Sequence, residues 1–233
     1  GEDRIVVCKK CNIAQNLEIA EAQIHTTDEK EEKELPMKEV KAEREFSIEA
    51  SAKAHDAPLW RVLKTVVYNV GDGFIGVAIR GDLQVNEHKL ARYLGKNVRP
   101  ASPDELAKIG LVQGFISPVG LAKVEGGVKE GPGIPFIADH SLKTVKNFVT
   151  GANKKNVDLV NVNVGTDFMI EDFTDLVAVE EGFKCSKCGS ELIEEKAIEA
   201  GNIFKLGTLY SKACDLYFTD ADGKRKHAIM GCY

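Results

Sequence analysis

Past residue 46 the apolar and polar positions alternate between helical and extended patterns. Residues 47–55 are alanine-rich behind Ser47, which predicts a capped helix, and Pro58 can open a second helix reaching about Leu63. Two apolar, β-branched runs follow, KTVVYNV at 64–70 and FIGVAIR at 74–80, and both predict strands. Gly71-Asp72-Gly73 between them tolerates positive φ, so the two runs predict a hairpin. Asn86 predicts the cap of a helix to Leu94 that Gly95 stops. Ser102-Pro103-Asp104-Glu105 predicts a capping box with proline at the first helical position and Gly110 as terminator. Further strands are expected at 134–139, 157–164 and 175–180, with a helix from Ser141 to about Val149. The tail predicts a strand at 203–206, a short helix near 210–213, and a hairpin pairing 216–218 with 228–230 around Asp222-Gly223.

A chain of 233 residues can bury one good core, or one medium domain beside a small one. With 43% hydrophobic and 29% charged residues, and no run of about 18 apolar positions, it has the balance of a soluble globular protein and predicts no membrane partner. The net charge of -5 argues against coating nucleic acid by bulk electrostatics, though a local RNA-binding patch is compatible with it. Residues 28–45 carry 13 charges in 18 positions around Pro36 and read as a solvated linker or exposed helix at a domain boundary. The pattern divides the chain into a flank at 1–35, a compact α/β domain at 36–182 and a tail at 183–233.

Gly1-Glu2-Asp3-Arg4 shows neither a basic leader nor an apolar stretch, so six cysteines are read in a reducing, cytoplasmic setting where metal ligation is favoured over disulfides. Cys8-Lys9-Lys10-Cys11 and Cys185-Ser186-Lys187-Cys188 are two CxxC knuckles, and together they supply the closed four-thiolate set of a structural zinc. Asn12 and Gly189, the residues after each second cysteine, accept the left-handed conformation of such a knuckle. The 173 residues between the pairs make this a staple across the entry and exit of the α/β domain. Gly71 to Gly76 matches GxGxxG, but a strand follows it where a dinucleotide site needs a helix. The five histidines show no metal-binding spacing, so surface or core roles are the default for all. Lys64, between a helix end and a strand, is a candidate buried-stem lysine aimed at a phosphate or carbonyl. Residues 114–120, GFISPVG, form a Gly/Pro-bounded loop that is either a packing loop or a source of backbone N–H groups for an ester carbonyl.

The segment EAGNIFKLGTLYS at 199–211 and MGCY at 230–233 resemble stretches of the bacterial-type prolyl-tRNA synthetase family. Upstream, Leu63-Lys64-Thr65-Val66, Arg80-Gly81-Asp82 with Asn86-Glu87, the 114–120 loop, Gly151-Ala152-Asn153, and Asn161-Val162-Asn163 with Asp167-Phe168 resemble that family's inserted editing domain, in order and spacing. The resemblance implies the central part of such an enzyme: a YbaK-like mixed sheet wrapped by helices, an interrupted zinc-ribbon-like element, and a piece of class II synthetase antiparallel sheet. It implies hydrolysis of alanine mischarged onto tRNA(Pro), since a proline pocket cannot exclude a smaller amino acid by size.

By the same resemblance Lys64 is the functional lysine at the tRNA 3′ end. Gly114, Phe115, Ile116, Ser117 and Pro118 hold the aminoacyl ester, while Arg80, Asp82, Gly151, Asn153 and Asp158 line the same pocket. Phe204 and Cys232 are remnants of the proline-activating site. The rest of the synthetase is implied as partner, the whole enzyme as a homodimer, and ATP and Mg2+ as belonging only to that whole enzyme; aminoacylation by this chain is not expected. The chain departs from the family at Ser117-Pro118-Val119, at Asp158 where histidine is sometimes found, and at Thr166 and Asn202. These departures keep open a second reading, a tRNA-positioning module without hydrolysis.

Overall fold

The computed structural model describes residues 3–25, 32–122, 133–201 and 203–232. The start of the charged segment (28–31), Asn202 and Tyr233 lie outside the described residues. The chain divides into two compact units, residues 6–194 and residues 1–5 with 195–233.

In the larger unit, β1 (Asp3–Cys8, which enters it from the smaller), β2 (Ile13–Asn16) and β3 (Ala22–Gln23) precede β4 (Lys38–Lys41). Then come α1 (Ile48–Ala54), a 3-10 turn (Leu59–Arg61), β5 (Leu63–Asn69), β6 (Phe74–Arg80), α2 (Glu87–Leu94), β7 (Arg99–Pro100) and α3 (Pro103–Lys108). Next are β8 (Phe136–Asp139), a second 3-10 turn (His140–Thr144), β9 (Phe148–Gly151), β10 (Val157–Val162), β11 (Phe173–Thr174), β12 (Lys184–Cys185) and β13 (Ile193–Ala197), the last leading into the smaller unit. The main sheet runs β11-β8-β6-β5-β7. It is mixed: β8 lies parallel to both β6 and β11, while β5 is antiparallel to β6 and β7.

Alternation along β6 sends Ile75 and Val77 into an apolar cluster with Tyr68, Leu90 of α2, Ile137 and Leu176. Ala78 faces the other way, into the larger core with Leu63, Val67, Phe136, Phe148 and Leu159. A sheet covered on both faces explains why FIGVAIR reads as a continuous apolar run. A second sheet, β4-β10-β9, is antiparallel throughout. Described α-helices are few and short, the longest being the eight residues of α2, so the fold is a mixed α/β arrangement of several sheets.

Local signals held where side chains cap backbone. Asn86 Oδ1 accepts from the N–H groups of His88 and Lys89, Gly95 closes α2 at φ 64°, and Ser102 and Glu105 form the capping box of α3. Five expectations need correction. The helix expected from Pro58 is one 3-10 turn, because Val62 O accepts from Gly81 N and Leu63 already begins β5. The helix expected over 141–149 is the His140–Thr144 turn followed by β9. Asn147 sits at φ 56°, outside the right-handed helix, and Phe148 and Val149 are buried. No strand occupies 175–180: Asp139 takes the Leu176 N–H and Asp175 takes that of Val177, leaving one bridge, Val85 to Val177. The segment read as a linker or helix contains β4, paired with β10. In the smaller unit, 228–230 is not the hairpin partner of 216–218.

That smaller unit holds β14 (Phe204–Gly207), α4 (Leu209–Ala213), β15 (Tyr217–Thr219), β16 (Arg225–His227) and β17 (Met230–Cys232). β15 pairs with β16, Tyr217 opposite His227, and β17 turns away to pair with β14. The Ala228 carbonyl is taken by the Ser211 hydroxyl at 2.7 Å, which ends the hairpin there.

Candidate functional site

β5, β9, α1 and the loop at 114–116 enclose a cavity of about 200 Å³. Lys64 on β5, Gly114 and Ile116 of the loop, and Gly151 at the end of β9 all line it, so four segments distant in sequence meet at one place. The Lys64 ammonium donates to Leu83 O at 2.5 Å and to Gln84 Oε1 at 2.9 Å. Burial pushes its pKa below the ordinary lysine value, with Glu49 and Asp82 opposing that shift. Cationic character here therefore costs desolvation.

The loop is clamped by the Gly151-Ala152-Asn153 segment. A side chain at Gly151 would lie 2.2 Å from the backbone carbonyl of Phe115, so only glycine permits this approach. Asn153 holds the loop three times: its N–H donates to Phe115 O, its Oδ1 accepts from Ser117 N, and its Nδ2 donates to Val119 O, each at 2.8 Å. Asn153 itself sits at φ 57°, a left-handed position asparagine tolerates. Phe115 and Ser117 are fully buried, so they shape the loop from beneath.

Asp158 is fully buried on β10 and is met by two cationic or protonatable side chains. Arg44 donates to both its oxygens at 2.7 Å, and His55 Nε2 lies 2.9 Å from Oδ2. Arg44 also donates to Gly114 O at 3.1 Å and stacks 4.4 Å from the centre of the Phe115 ring. It lines the cavity, and the sequence reading missed it, because Arg44 stands in a run of charges with nothing to single it out. His55 likewise has a specific partner that histidine spacing did not indicate.

Arg80 and Asp82 do not line the cavity. Arg80 is buried, binds Asp82 through Nε at 2.9 Å and Nη2 at 2.5 Å, and reaches His25 O and Thr144 Oγ1 through Nη1. Asp82 touches the site only through its field on Lys64. Pro118 is outside the lining as well, although its carbonyl accepts from Leu121 and Ala122 and fixes the loop's exit. Gly71 to Gly76 is the β5–β6 hairpin, Asn69 opposite Phe74, as the strand following the turn required.

The four CxxC cysteines converge in the larger unit, all sulfurs within 4.8 Å of one another and Cys8 Sγ 3.5 Å from Cys188 Sγ. Tetrahedral zinc thiolates stand about 3.8 Å apart given a Zn–S bond near 2.3 Å, so the donor set fits a closed four-sulfur site. Hydrogen bonding by the Ser190 side chain pulls Cys188 down to about 6, while the contact with Cys188 pushes Cys11 up to about 12. Val6, Ala20, Val179 and Leu192 pack around Cys8 and Cys185, giving this element its own small core. In the smaller unit Phe204 and Cys232 are register partners on β14 and β17, both exposed.

The sequence profile of the aminoacyl-tRNA editing domain family matches residues 42–168. Over its whole length the chain is similar to proline–tRNA ligases: 40% identical to that of Sulfurihydrogenibium sp. (strain YO3AOP1) and 39% to that of Thermotoga maritima, in each case across 100% of this chain and 39% of the relative. The chain thus spans about two fifths of the length of these curated relatives. Among solved structures, a candidate trans-editing enzyme for prolyl tRNA synthetase superposes with a TM-score of 0.47 at 17% identity, covering 60% of this chain and 86% of that one. Lys64, the 114–116 loop, Gly151 and Asp158 all fall inside the matched span, which takes in more than half of the 233 residues, and the chain belongs to the aminoacyl-tRNA editing domain family.

Proposed function

We propose that the cavity between Lys64 and the 114–116 loop hydrolyses the ester of alanine mischarged onto tRNA(Pro), as the editing site of a proline–tRNA ligase. The observation that carries this reading is the convergence of Lys64, Gly114, Ile116 and Gly151 on one small cavity within the editing-family span. A second site that admits alanine and excludes proline supplies the discrimination a synthetic pocket cannot. The Lys64 ammonium holds negative charge of the tRNA 3′ end, and Gly114, which has only main-chain atoms to offer, brings backbone to the ester. Asn153 and Gly151 position that loop, and Arg44, held by Asp158, braces it from the side.

The described lining residues include no carboxylate, imidazole or thiol. Water therefore attacks the ester carbonyl and gives its proton to the neighbouring ribose hydroxyl, which passes its own proton to the leaving ribose oxygen as the acyl C–O bond breaks. An ester lacking that hydroxyl should be hydrolysed far more slowly, and full-rate hydrolysis of it would overturn this step.

In this reading residues 36–182 are the inserted domain, flanked by 1–35 and 183–233. Cys8, Cys11, Cys185 and Cys188 hold a structural Zn2+, the closed donor set leaving no position for catalytic water. The remainder of a cytoplasmic, homodimeric synthetase supplies ATP, Mg2+ and proline activation around Phe204 and Cys232. The test is deacylation of alanyl- and prolyl-tRNA(Pro) by this chain beside its Lys64→Ala variant. Selective loss of alanine that disappears in the variant supports editing; hydrolysis unchanged in the variant sinks the role of Lys64, and no hydrolysis by either favours a module that only positions tRNA.

A further inference from the structure

Two hydroxyls of the cavity wall have no hydrogen-bond partner among the described residues. Ser51, on the face of α1 that lines the cavity, is 2% exposed, and its Oγ has no hydrogen-bond partner among the described residues. The hydroxyl of Thr65, next to Lys64 on β5, is likewise buried without a partner and belongs to the same wall. A helical serine commonly satisfies itself on the carbonyl one turn back, and Ser51 does not, although Ser47 O is at hand as the acceptor of its N–H. An unmet buried hydroxyl costs about 1–3 kcal/mol, so two of them in one small cavity point to a ligand group that completes both.

We propose that Ser51 and Thr65 form a subsite for a side-chain hydroxyl, so that this chain clears seryl esters of tRNA as well as alanyl ones. The inference rests on the editing function proposed above and names a further substrate class for the same cavity. A hydroxyl donates one hydrogen bond and accepts others. A substrate hydroxyl can therefore accept from one wall hydroxyl and donate to the other, satisfying both at once. An α-ammonium only donates, which would leave both wall protons unpaired. It would also enter a lining whose charged members, Lys64 and Arg44, are both cationic, with Asp158 already committed to Arg44. Phosphate belongs with Lys64. An alanyl methyl fills the same space without completing the bonds, so alanine is accepted and serine is accepted with two added contacts.

The experiment compares hydrolysis of seryl- and alanyl-tRNA(Pro) by the 233-residue chain, its Ser51→Ala variant and its Thr65→Val variant. The seryl ester should be cleared at least as fast as the alanyl ester. Each substitution should lower the seryl-to-alanyl ratio about threefold to tenfold, the worth of one hydrogen bond. Since Ser51 Oγ bonds nothing among the described residues, Ser51→Ala should also leave Tm unchanged or raised. A lowered Tm with an unchanged ratio would show a structural hydroxyl and overturn the subsite. Alanyl hydrolysis without seryl hydrolysis would overturn it while leaving the editing reading intact. Should neither ester be cleared, calorimetry with non-hydrolysable seryl- and alanyl-amide analogues of the terminal adenosine decides. Tighter binding of the seryl analogue that Ser51→Ala abolishes supports the subsite, and equal binding overturns it.

Discussion

At the residue scale the site depends on charges placed where they are expensive. In the proposed function Lys64 must be cationic to hold a phosphate, yet burial favours its neutral form and lowers its pKa. The protonated lysine is lost as pH rises through that lowered value. Enzyme-dependent hydrolysis, after subtraction of the buffer rate, should thus fall on the alkaline side before the ordinary lysine range; a profile flat through that range would contradict a charged Lys64. The Arg44–Asp158 pair carries a different cost. Asp158 is fully enclosed, and Arg44→Met strands its charge, leaving His55 as its partner among the described side chains. Loss of one partner of a buried pair costs about 3–5 kcal/mol, which urea denaturation would read as a lowered midpoint. Adding Asp158→Leu should recover much of the loss, since an apolar replacement removes the stranded charge; no recovery would mean that the pair contributes through the Gly114 and Phe115 contacts of Arg44. Neither Arg44 nor Ser51 was visible in the sequence, the one being among 13 charges in 18 positions and the other lying in an alanine-rich helix. What marks them is a partner 114 positions away, or the lack of any partner.

At the element scale, units closed by neighbouring residues were legible and those closed by distant ones were not. The β5–β6 hairpin, α2 with Asn86 and Gly95, and α3 with its capping box are fixed by contacts within a few positions, so pattern and turn chemistry suffice. The 141–149 and 175–180 segments were misread because Asn147 takes a left-handed φ and because aspartate side chains occupy the N–H groups a strand would need. β4 escaped notice because its side chains are mostly exposed and charged, while its backbone pairs with β10 more than a hundred residues on. The 114–120 loop joins the two cases: its Gly/Pro frame is legible, but its position is set by Gly151 and Asn153. Gly151→Ala should push the loop off the cavity, lowering Tm and abolishing hydrolysis together. Asn153→Ala should release the loop with a smaller loss of stability and a reduced rate. Normal deacylation by Gly151→Ala would show that loop position does not matter.

At the scale of the whole molecule, no described helix is long and apolar enough to cross a membrane, and the four cysteines draw together positions 8 to 11 and 185 to 188. Those cysteines sit in a small core separate from the main one. Chelation should therefore expose amides around Val6, Ala20, Cys185 and Leu192 to hydrogen exchange while β5, β6 and β8 stay protected. Acid should do the same as the thiolates take up protons; global unfolding on chelation would contradict a local staple. Sequence alone settles the local grammar: the hairpin, the capped helices, two cysteine knuckles of metal-ligating residue type, and the segments that carry the family resemblance. Each of these is settled by residues adjacent in the chain. It took the fold to show that Lys64, Gly114, Ile116 and Gly151 share one cavity, that Arg80 and Asp82 bind each other outside it, that Arg44 neutralises Asp158, and that two wall hydroxyls find no partner among the described residues. The physical reason is that burial and hydrogen-bond satisfaction belong to the neighbours a residue meets in space, and for this site those neighbours lie tens of positions away in the chain.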